Sequence, residues 1–312
     1  DAIPLDLKLA AACGIGLFIA LIGLEDSNIV VDSQATLVTL GNLTAPATLL
    51  TIFGLVVSVA LMLRRFPGAI FFGMVATSLA GMATGVIDVP GAIVSGIPSV
   101  APVFGVAVTQ LFAHPEEVFT LNLAIVVLTF LFVEFFDTAG TLMAVASKAG
   151  LMQGNRMKRA RAALLADSSS VVASAVIGTS PTTSYIESTA GVATGARTGF
   201  SALITAGFFA AALFFSPLLA VVTANVTAPA LIIVGVLMVA ALDEIDWKRL
   251  EIAVPAFLTL IAMPATYSIA NGIALGLVIY PVTMVFAGRA RELHPILYGL
   301  FAVFVAYFAF LA

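Results

Sequence analysis

Long apolar runs recur from one end of this sequence to the other, and they constrain the fold more than any other feature. Each run has about 17–25 residues, the length that an α-helix needs to cross a hydrocarbon layer of roughly 30 Å. Hydrophobic residues make up 61% of the chain and charged residues only 10%, too few to cover the surface of a water-soluble domain of this size. The sequence therefore predicts an all-α polytopic membrane protein.

The cations occur in alternate connections between the apolar runs. They stand at Lys8, Arg64 and Arg65, Lys148 to Arg161, Arg197, Lys248 and Arg249, and Arg289 and Arg291. The cation-free connections lie at 25–45, 88–117, 179–184, 219–226 and 265–270. Because cytoplasmic loops are enriched in Lys and Arg, this alternation predicts one orientation, with every cation-bearing connection on the cytoplasmic side.

This orientation places the predicted spans along the chain. They cover 7–24, 46–63, 68–87, 118–147, 160–178, 198–218, 227–242, 251–265 and 270–287, and 295–311 either crosses or lies against the bundle. The apolar stretch 91–112 contains Pro98 and Pro102, so we expect it to be interfacial or re-entrant. Residues 187–196 are too few to cross and are predicted to form half of a broken helix. We predict a single transmembrane domain over residues 1–312.

A first polar cluster interrupts the predicted helix at 118–147. Glu134, Asp137, Thr138 and Thr141 are spaced so that they share roughly one helix face. A charged side chain inside an apolar helix costs about 2.5–3.5 kcal/mol on insertion scales, so it usually faces a cavity or a partner. A helix-packing ion pair is the structural alternative, but no cation lies at the same depth in the sequence. We predict that Asp137 binds a ligand, and Glu134 is open between ligand binding and a helix interface.

A second polar cluster, residues 178–191, is rich in hydroxyl side chains and lies where the topology requires membrane depth. Pro181 and the β-favouring stretch that follows it disfavour helix up to about Tyr185. Glu187 would then begin a half-helix. Irregular backbone at membrane depth is tolerated where it lines a cavity or is buried in protein, and discontinuous helices near the midplane form the substrate sites of secondary transporters. An extracellular loop that dips into the headgroups is the alternative.

Asp167 is a third acid within an apolar stretch. It lies about two helical turns from Arg161, so it could pair with a cytoplasmic cation. It could equally take part in proton coupling, since desolvation favours the protonated form of a carboxyl group. The sequence leaves both interpretations open.

These segments resemble the AzgA-like purine permeases, the hypoxanthine, guanine and adenine branch of the nucleobase–cation symporter (nucleobase–ascorbate) superfamily. The resemblance extends along essentially the whole chain, in the order of the family. The matching segments are 135–142, 163–168 and 178–199, with further matches at 14–24, 228–235, 255–259 and 263–270.

The resemblance implies a fold of fourteen helices in two inverted seven-helix repeats, divided into a core domain and a gate domain. On that map the chain corresponds to helices five to fourteen. Residues 7–87 would be the remainder of an N-terminally truncated first repeat, and 118–312 the second repeat with the C-terminal segment. Family members bind the base between two half-helices, and the half-helix that mirrors 182–196 belongs to the helices before this chain.

The resemblance also assigns roles to individual residues. The acids that contact the base in the eighth and tenth helices of the family correspond to Asp137, with Glu134 nearby, and to Glu187. The ninth-helix acid corresponds to Asp167, so Glu187 and Asp167 are the expected proton-coupling residues. We expect the hydroxyl-bearing side chains beside these acids to complete the substrate site: Thr138, Thr183, Ser184 and Tyr185.

The chemistry of a purine agrees with these assignments. A carboxylate can accept two hydrogen bonds from adjacent ring N–H groups, and free backbone groups at a helix break can pair with the remaining ring atoms. The sequence contains no phosphate-binding loop motif, and no Ser/His or His/His pair lies at membrane depth. We therefore predict a secondary active transporter of the plasma or inner membrane, not an enzyme, which imports hypoxanthine, guanine and adenine by proton symport with alternating access.

The expected partners are a purine base, protons and the lipid bilayer, with a homodimer left open and no nucleic acid, metal or cofactor. Two alternatives remain. An anion transporter or channel of related architecture would place a cation or free helix N-termini at the site, and the acids argue against it. A nucleobase transporter with another preference, for uracil or xanthine, would use the same groups.

Overall fold

The computed structural model of the chain describes residues 4–118, 120–153, 156–185, 188–193 and 195–310, and some side chains within these ranges, including that of Asp137, lie outside the description. The elements in chain order are α1 (Leu5–Asp26), β1 (Val30–Ser33), β2 (Leu37–Leu40), α2 (Pro46–Leu63), α3 (Ala69–Thr84), α4 (Val106–Ala113), α5 (Pro115–Val118), α6 (Leu121–Lys148), β3 (Met152–Gln153), β4 (Arg156–Met157), α7 (Ala160–Ile177), α8 (Ser188–Ala193), α9 (Phe200–Ala212), α10 (Ala224–Val239), α11 (Leu250–Ala265), α12 (Ile269–Phe286) and α13 (Pro295–Phe310). Short 3-10 helices follow α9, α10 and α12.

The helices occupy the segments that the apolar runs predicted, and α2 has the predicted bounds. Within the described residues, five helices are long and apolar enough to cross a membrane: Leu5–Asp26, Pro46–Leu63, Ala160–Ile177, Phe200–Val221 and Ala224–Glu244. Shorter apolar helices lie at Ala69–Thr84, Leu250–Ala265, Asn271–Phe286 and Pro295–Ala306. The prediction of a mostly helical polytopic membrane protein is confirmed.

Two short antiparallel hairpins were not predicted. In the first, Val30 pairs with Leu40 and Ser33 pairs with Leu37, within the connection at 25–45. The turn requires a left-handed backbone at Leu37, whose φ is 68°. The second hairpin pairs Met152 with Met157. Both stand in connections between apolar helices, so they leave the helical architecture unchanged.

The chain divides into two compact units. Unit 1 comprises Asp1–Ile93 and Pro217–Ala312, and therefore holds α1 to α3, the first hairpin and α10 to α13. Unit 2 comprises Val94–Ser216 and holds α4 to α9 with the second hairpin.

Within unit 1, α1 packs against α10 and α11. The contact of α1 with α10 depends on glycine at Gly16 and Gly235, because a Cβ at Gly235 would lie 2.5 Å from the carbonyl oxygen of Gly16 and one at Gly16 would lie 2.6 Å from Met238 Cβ. Small residues let helix backbones approach closely, which increases van der Waals contact between membrane helices.

Each of two prolines inside the helices of unit 1 leaves one backbone carbonyl without its helical hydrogen bond. A threonine hydroxyl of another helix donates to that carbonyl in each case. Pro229 has no N–H to donate to the carbonyl of Asn225 one turn earlier, and the Thr51 hydroxyl of α2 donates to that oxygen at 3.1 Å. Pro255 likewise frees the carbonyl of Glu251, which accepts from the Thr283 hydroxyl of α12 at 2.8 Å. Both contacts join a proline-containing helix to a neighbour and give the carbonyl a hydrogen-bond donor, which a backbone group in the membrane requires.

A charged network lies at the predicted cytoplasmic end of the same unit. Glu251 accepts from Arg249 Nε at 3.0 Å and from Arg289 Nη1 at 2.8 Å. Arg289 also donates to both carboxylate oxygens of Glu292, at 2.7 and 2.6 Å. These hydrogen bonds raise the pKa of Arg289 and lower the pKa of Glu292. The network joins the start of α11 to the turn before α13.

In unit 2, the irregular segment before α4 crosses the end of α7. The Gly105 N–H donates to the carbonyl of Val176 at 2.7 Å. Gly178 ends α7 with a left-handed backbone, φ 82°, and a Cβ there would collide with the carbonyl of Val103. The stretch that we expected to be interfacial or re-entrant is irregular up to this contact, and α4 forms only at Val106–Ala113.

Candidate functional site

The chain turns back after α7 and runs beside it in the opposite direction. Residues 180–185, called the extended segment below, are not helical, as the proline and the hydroxyl-rich stretch predicted. Thr182 contacts Ser174 and Ser170 of α7, and Ser184 lies near Asp167, which is further along the helix toward its N-terminus. The order of these contacts shows that the extended segment follows α7 from its C-terminal end to its middle.

Asp167 is the acid at which α6, α7 and the extended segment meet. Its Oδ2 atom accepts a hydrogen bond from the Thr138 hydroxyl of α6 at 3.0 Å. Its Oδ1 atom lies 3.5 Å from the Ser184 hydroxyl, at the outer limit of a hydrogen bond. The partners of this carboxylate within the described residues are therefore hydroxyl groups, and no Lys or Arg described there forms an ion pair with it.

Thr138 links the acid to the extended segment. Its hydroxyl lies 3.2 Å from that of Thr183, and either oxygen can be the donor. Thr138 is 2% exposed and Thr141, one turn further along α6, is 7% exposed. A buried hydroxyl needs partners, because an unpaired one costs about 1–3 kcal/mol. Thr138, on the polar face that the spacing predicted for α6, thus meets both α7 and the break.

Glu134 lies one turn before Thr138 on α6. Its Oε1 atom is buried and has no hydrogen-bond partner among the described residues. A buried carboxylate oxygen without a donor is costly, and such a group is usually explained by an ion, a water or a ligand. Glu134 therefore lies on the polar face of α6, and its Oε1 atom can accept a hydrogen bond.

The structure brings four of the predicted site residues into one hydrogen-bonded cluster: Thr138, Asp167, Thr183 and Ser184. The Tyr185 side chain is 61% exposed, and no hydrogen bond of its side chain is found in the described part of the chain. Glu187 and the side chain of Asp137 lie outside the described residues. In the ranges given above, no group of three or more His, Cys, Asp or Glu residues could hold a metal ion.

Sequence reasoning missed three residues of this cluster: Ser170, Ser174 and Thr182. Together with Asp167, the two serines occupy positions i, i+3 and i+7 of α7, a spacing that puts them on one helix face. That spacing was a usable signal. Ser174 is 3% exposed, which confirms that this face of α7 is covered.

Comparison with known proteins gives consistent matches. The model of a family described as "Permease family" matches residues 3–275. Guanine/hypoxanthine permease PbuG of Bacillus subtilis (strain 168) is 58% identical over 311 residues, which is 100% of this chain and 70% of that protein. Guanine/hypoxanthine permease PbuO of the same organism is 47% identical over 298 residues, or 95% of this chain and 68% of that protein. Adenine permease AdeQ of Escherichia coli (strain K12) is 41% identical over 293 residues, 94% of this chain and 64% of that protein.

Proposed function

Since the chain belongs to the Permease family, we propose that it imports purine nucleobases, namely hypoxanthine, guanine and adenine, by proton symport. It is a multi-pass cell-membrane protein and a transporter, not an enzyme. Purine transport follows from relatives that are named guanine/hypoxanthine and adenine permeases. Proton coupling and the roles of individual residues are the parts of the proposal that rest on the chemistry of the site.

The observation that carries the site is the cluster that joins Asp167 to Thr138 and Thr183. It sits where helical structure is interrupted between α7 and α8, and the apolar α7 is long enough to cross a membrane. Interrupted helices supply backbone groups that are not used by the helix, and secondary transporters use such groups to bind substrates. An acid and several hydroxyls therefore meet at a helix break.

In this proposal the base is held mainly by carboxylates. Asp137 and Glu187 accept hydrogen bonds from ring N–H groups. The Oε1 atom of Glu134, which has no partner among the described residues, is a further acceptor on the same helix as Asp137. Thr138, Thr183, Ser184 and Tyr185 complete the site, because hydroxyl groups both donate and accept and so match the mixed edge of a purine. A neutral base needs no cation, in agreement with the hydroxyl partners that Asp167 has among the described residues.

Proton coupling is assigned to Glu187 and Asp167. The network around Asp167 tolerates both protonation states, because hydroxyl hydrogens rotate. When Asp167 is ionised, Thr138 donates to it. When Asp167 is protonated, it can donate to Thr138, which then donates to Thr183 across the 3.2 Å contact. A proton can therefore be taken up or released while the contacts of Thr138 with Asp167 and Thr183 are kept.

Alternating access requires two bodies that can move against each other. The compact unit Val94–Ser216 contains α4 to α9, among them α6, α7 and α8, and the other unit contains α1 to α3 and α10 to α13. This division supports the proposal that a core domain with the substrate site moves against a gate domain built from the spans near 7–87 and 227–287. The inverted seven-helix repeats and the single transmembrane domain over 1–312 belong to the same proposal.

Competition experiments test the choice of substrate. Radiolabelled hypoxanthine uptake is measured in cells that lack their own purine permeases and express the full-length protein, with excess unlabelled guanine, adenine, xanthine, uracil or an inorganic anion. We expect guanine and adenine to compete. Competition by uracil or xanthine alone would favour the other base preferences, and competition by the anion alone would favour an anion transporter.

Asp137→Asn tests the main base ligand. A hydrogen bond to a charged group contributes about 1.5–3 kcal/mol, so loss of the carboxylate should reduce uptake at low substrate concentration by about 10- to 100-fold. The protein should still reach the membrane. Asp32→Asn, on the exposed side of β1, is the matched control and should transport like wild type. Normal uptake by Asp137→Asn would remove this residue from the site.

A further inference from the structure

Thr182 is bound to α7 through three of its own atoms. Its N–H donates to the Ser174 hydroxyl at 3.2 Å, and its hydroxyl lies 2.8 Å from the same Ser174 oxygen. Its carbonyl oxygen lies 2.8 Å from the Ser170 hydroxyl. No other residue in the described part of the extended segment is held to one helix at so many points.

The Ser174 hydroxyl has its full set of partners in this arrangement. It donates to the carbonyl of Ser170 at 2.8 Å, so it is free to accept both hydrogens that Thr182 offers. Ser174 is 3% exposed. Replacing this buried hydroxyl would remove the acceptor that the N–H and the O–H of Thr182 share.

The Ser170 hydroxyl connects the same residue to the acid. It lies 2.6 Å from the carbonyl of Asp167 and 2.8 Å from that of Thr182, so one hydrogen is shared between two oxygens. Asp167, Ser170 and Ser174 lie on one face of α7. The two serine hydroxyls therefore pair with the backbone N–H and carbonyl of Thr182, which a neighbouring strand would pair with in a sheet.

We propose that Ser174, assisted by Ser170, is a positioning residue that fixes the extended segment against α7 and so sets the places of Thr183 and Ser184 relative to Asp167. The next two residues after Thr182 carry the hydroxyls that meet Thr138 and Asp167. A shift of Thr182 along α7 would move both of them away from those partners. The inference rests on the proposed function, since Thr183 and Ser184 belong to the proposed substrate site.

The test compares hypoxanthine and adenine uptake kinetics of Ser174→Ala with wild type in the full-length protein. We expect KM for hypoxanthine to rise about tenfold, which corresponds to about 1.4 kcal/mol, with a smaller change in maximal rate. The ratio of the two KM values should also change, because the misplaced hydroxyls contact different edges of the two bases. Ser174→Thr keeps the hydroxyl and should lie closer to wild type than Ser174→Ala.

Ser169→Ala is the matched control, since the exposed Ser169 hydroxyl donates only to the carbonyl of Ala166 in its own helix. Ser170→Ala gives an independent reading if Ser174→Ala does not reach the membrane, and it should raise KM in the same direction. Unchanged KM values in both Ser174→Ala and Ser170→Ala, or an equal effect of Ser169→Ala, would overturn the positioning role. Absence of purine uptake by the wild-type protein would instead overturn the proposed function.

Discussion

At the scale of single residues, the site is defined by how its acids are satisfied. Asp167 accepts a hydrogen bond from Thr138, and the Thr138 hydroxyl also contacts the hydroxyl of Thr183. Glu134, one turn away on the same helix, keeps a buried oxygen without a partner in the described residues. One acid is therefore hydrogen-bonded within the protein, while the other is proposed to accept from a ligand.

Thr138→Val tests the support of Asp167. Valine has nearly the shape of threonine but cannot hydrogen-bond, so the variant removes the contacts to Asp167 and Thr183 without opening a cavity. A hydrogen bond to a charged group contributes about 1.5–3 kcal/mol, so the initial rate of purine uptake should fall by about 10- to 100-fold. Thr138→Ser should retain most of the rate. Equal rates for Thr138→Val and wild type, at equal amounts in the membrane, would show that this hydroxyl has no part in transport.

At the scale of elements, prolines shape the helices of unit 1 and threonines of neighbouring helices compensate for them. The Thr51–Asn225 contact lies opposite Pro229, and the Thr283–Glu251 contact lies opposite Pro255. In each case the freed carbonyl lies one turn before the proline. Each proline-containing helix is thus hydrogen-bonded to a neighbour at the carbonyl that lacks its helical hydrogen bond.

A double-mutant cycle on Thr51 and Pro229 measures this compensation. Thr51→Val should lower the free energy of unfolding by about 1 kcal/mol, because the carbonyl of Asn225 loses its donor. Pro229→Ala restores the backbone N–H, so Thr51→Val should cost less in that background than in wild type. Thermal unfolding of the purified protein in detergent gives the four values. The same cost in both backgrounds would show that the threonine does not compensate for the proline.

The helices and the break were predictable from sequence for local reasons. The length of an apolar run predicts the length of a span, and Pro181 with its hydroxyl-rich neighbours predicts the break in the helix after α7. The β1–β2 hairpin is also local, since Val30 and Val31 favour strand, but the charge pattern marks 25–45 only as a connection. The threonine–proline contacts could not be predicted, because they join residues such as Thr51 and Asn225 that are 174 positions apart.

Part of the site was predictable and part was not. The spacing on α6 identified the face that carries Thr138, and the acids stood out against an apolar background. Sequence left Asp167 open between a cation and a coupling role, because only tertiary structure shows which groups surround a carboxylate. Ser170 and Ser174 contact Thr182 because the extended segment runs back beside α7, which the sequence alone does not show.

At the scale of the whole molecule, the distribution of cations predicts the orientation in the membrane. The first hairpin lies in a cation-free connection and the second in a cation-rich one. Unit 1 carries its charged network of arginines and glutamates at the predicted cytoplasmic end. The same orientation determines the direction in which protons and purine would travel.

Single cysteines test the orientation. The native Cys13 is buried and should remain unlabelled, so it gives no background. Asn28→Cys and Asn42→Cys should react with an impermeant thiol reagent in intact cells, and Gln153→Cys should react only after permeabilisation. Labelling of Gln153→Cys in intact cells would reverse the orientation.

Accumulation of purine under an imposed proton gradient tests the central claim most directly. The full-length protein is reconstituted into vesicles, oriented populations are distinguished by thiol labelling, and hypoxanthine accumulation is measured at several pH differences of both signs. We predict accumulation that rises with acidity on the extracellular face and collapses when a protonophore is added. Accumulation that is the same at every pH difference, with and without the protonophore, would contradict proton symport at this site.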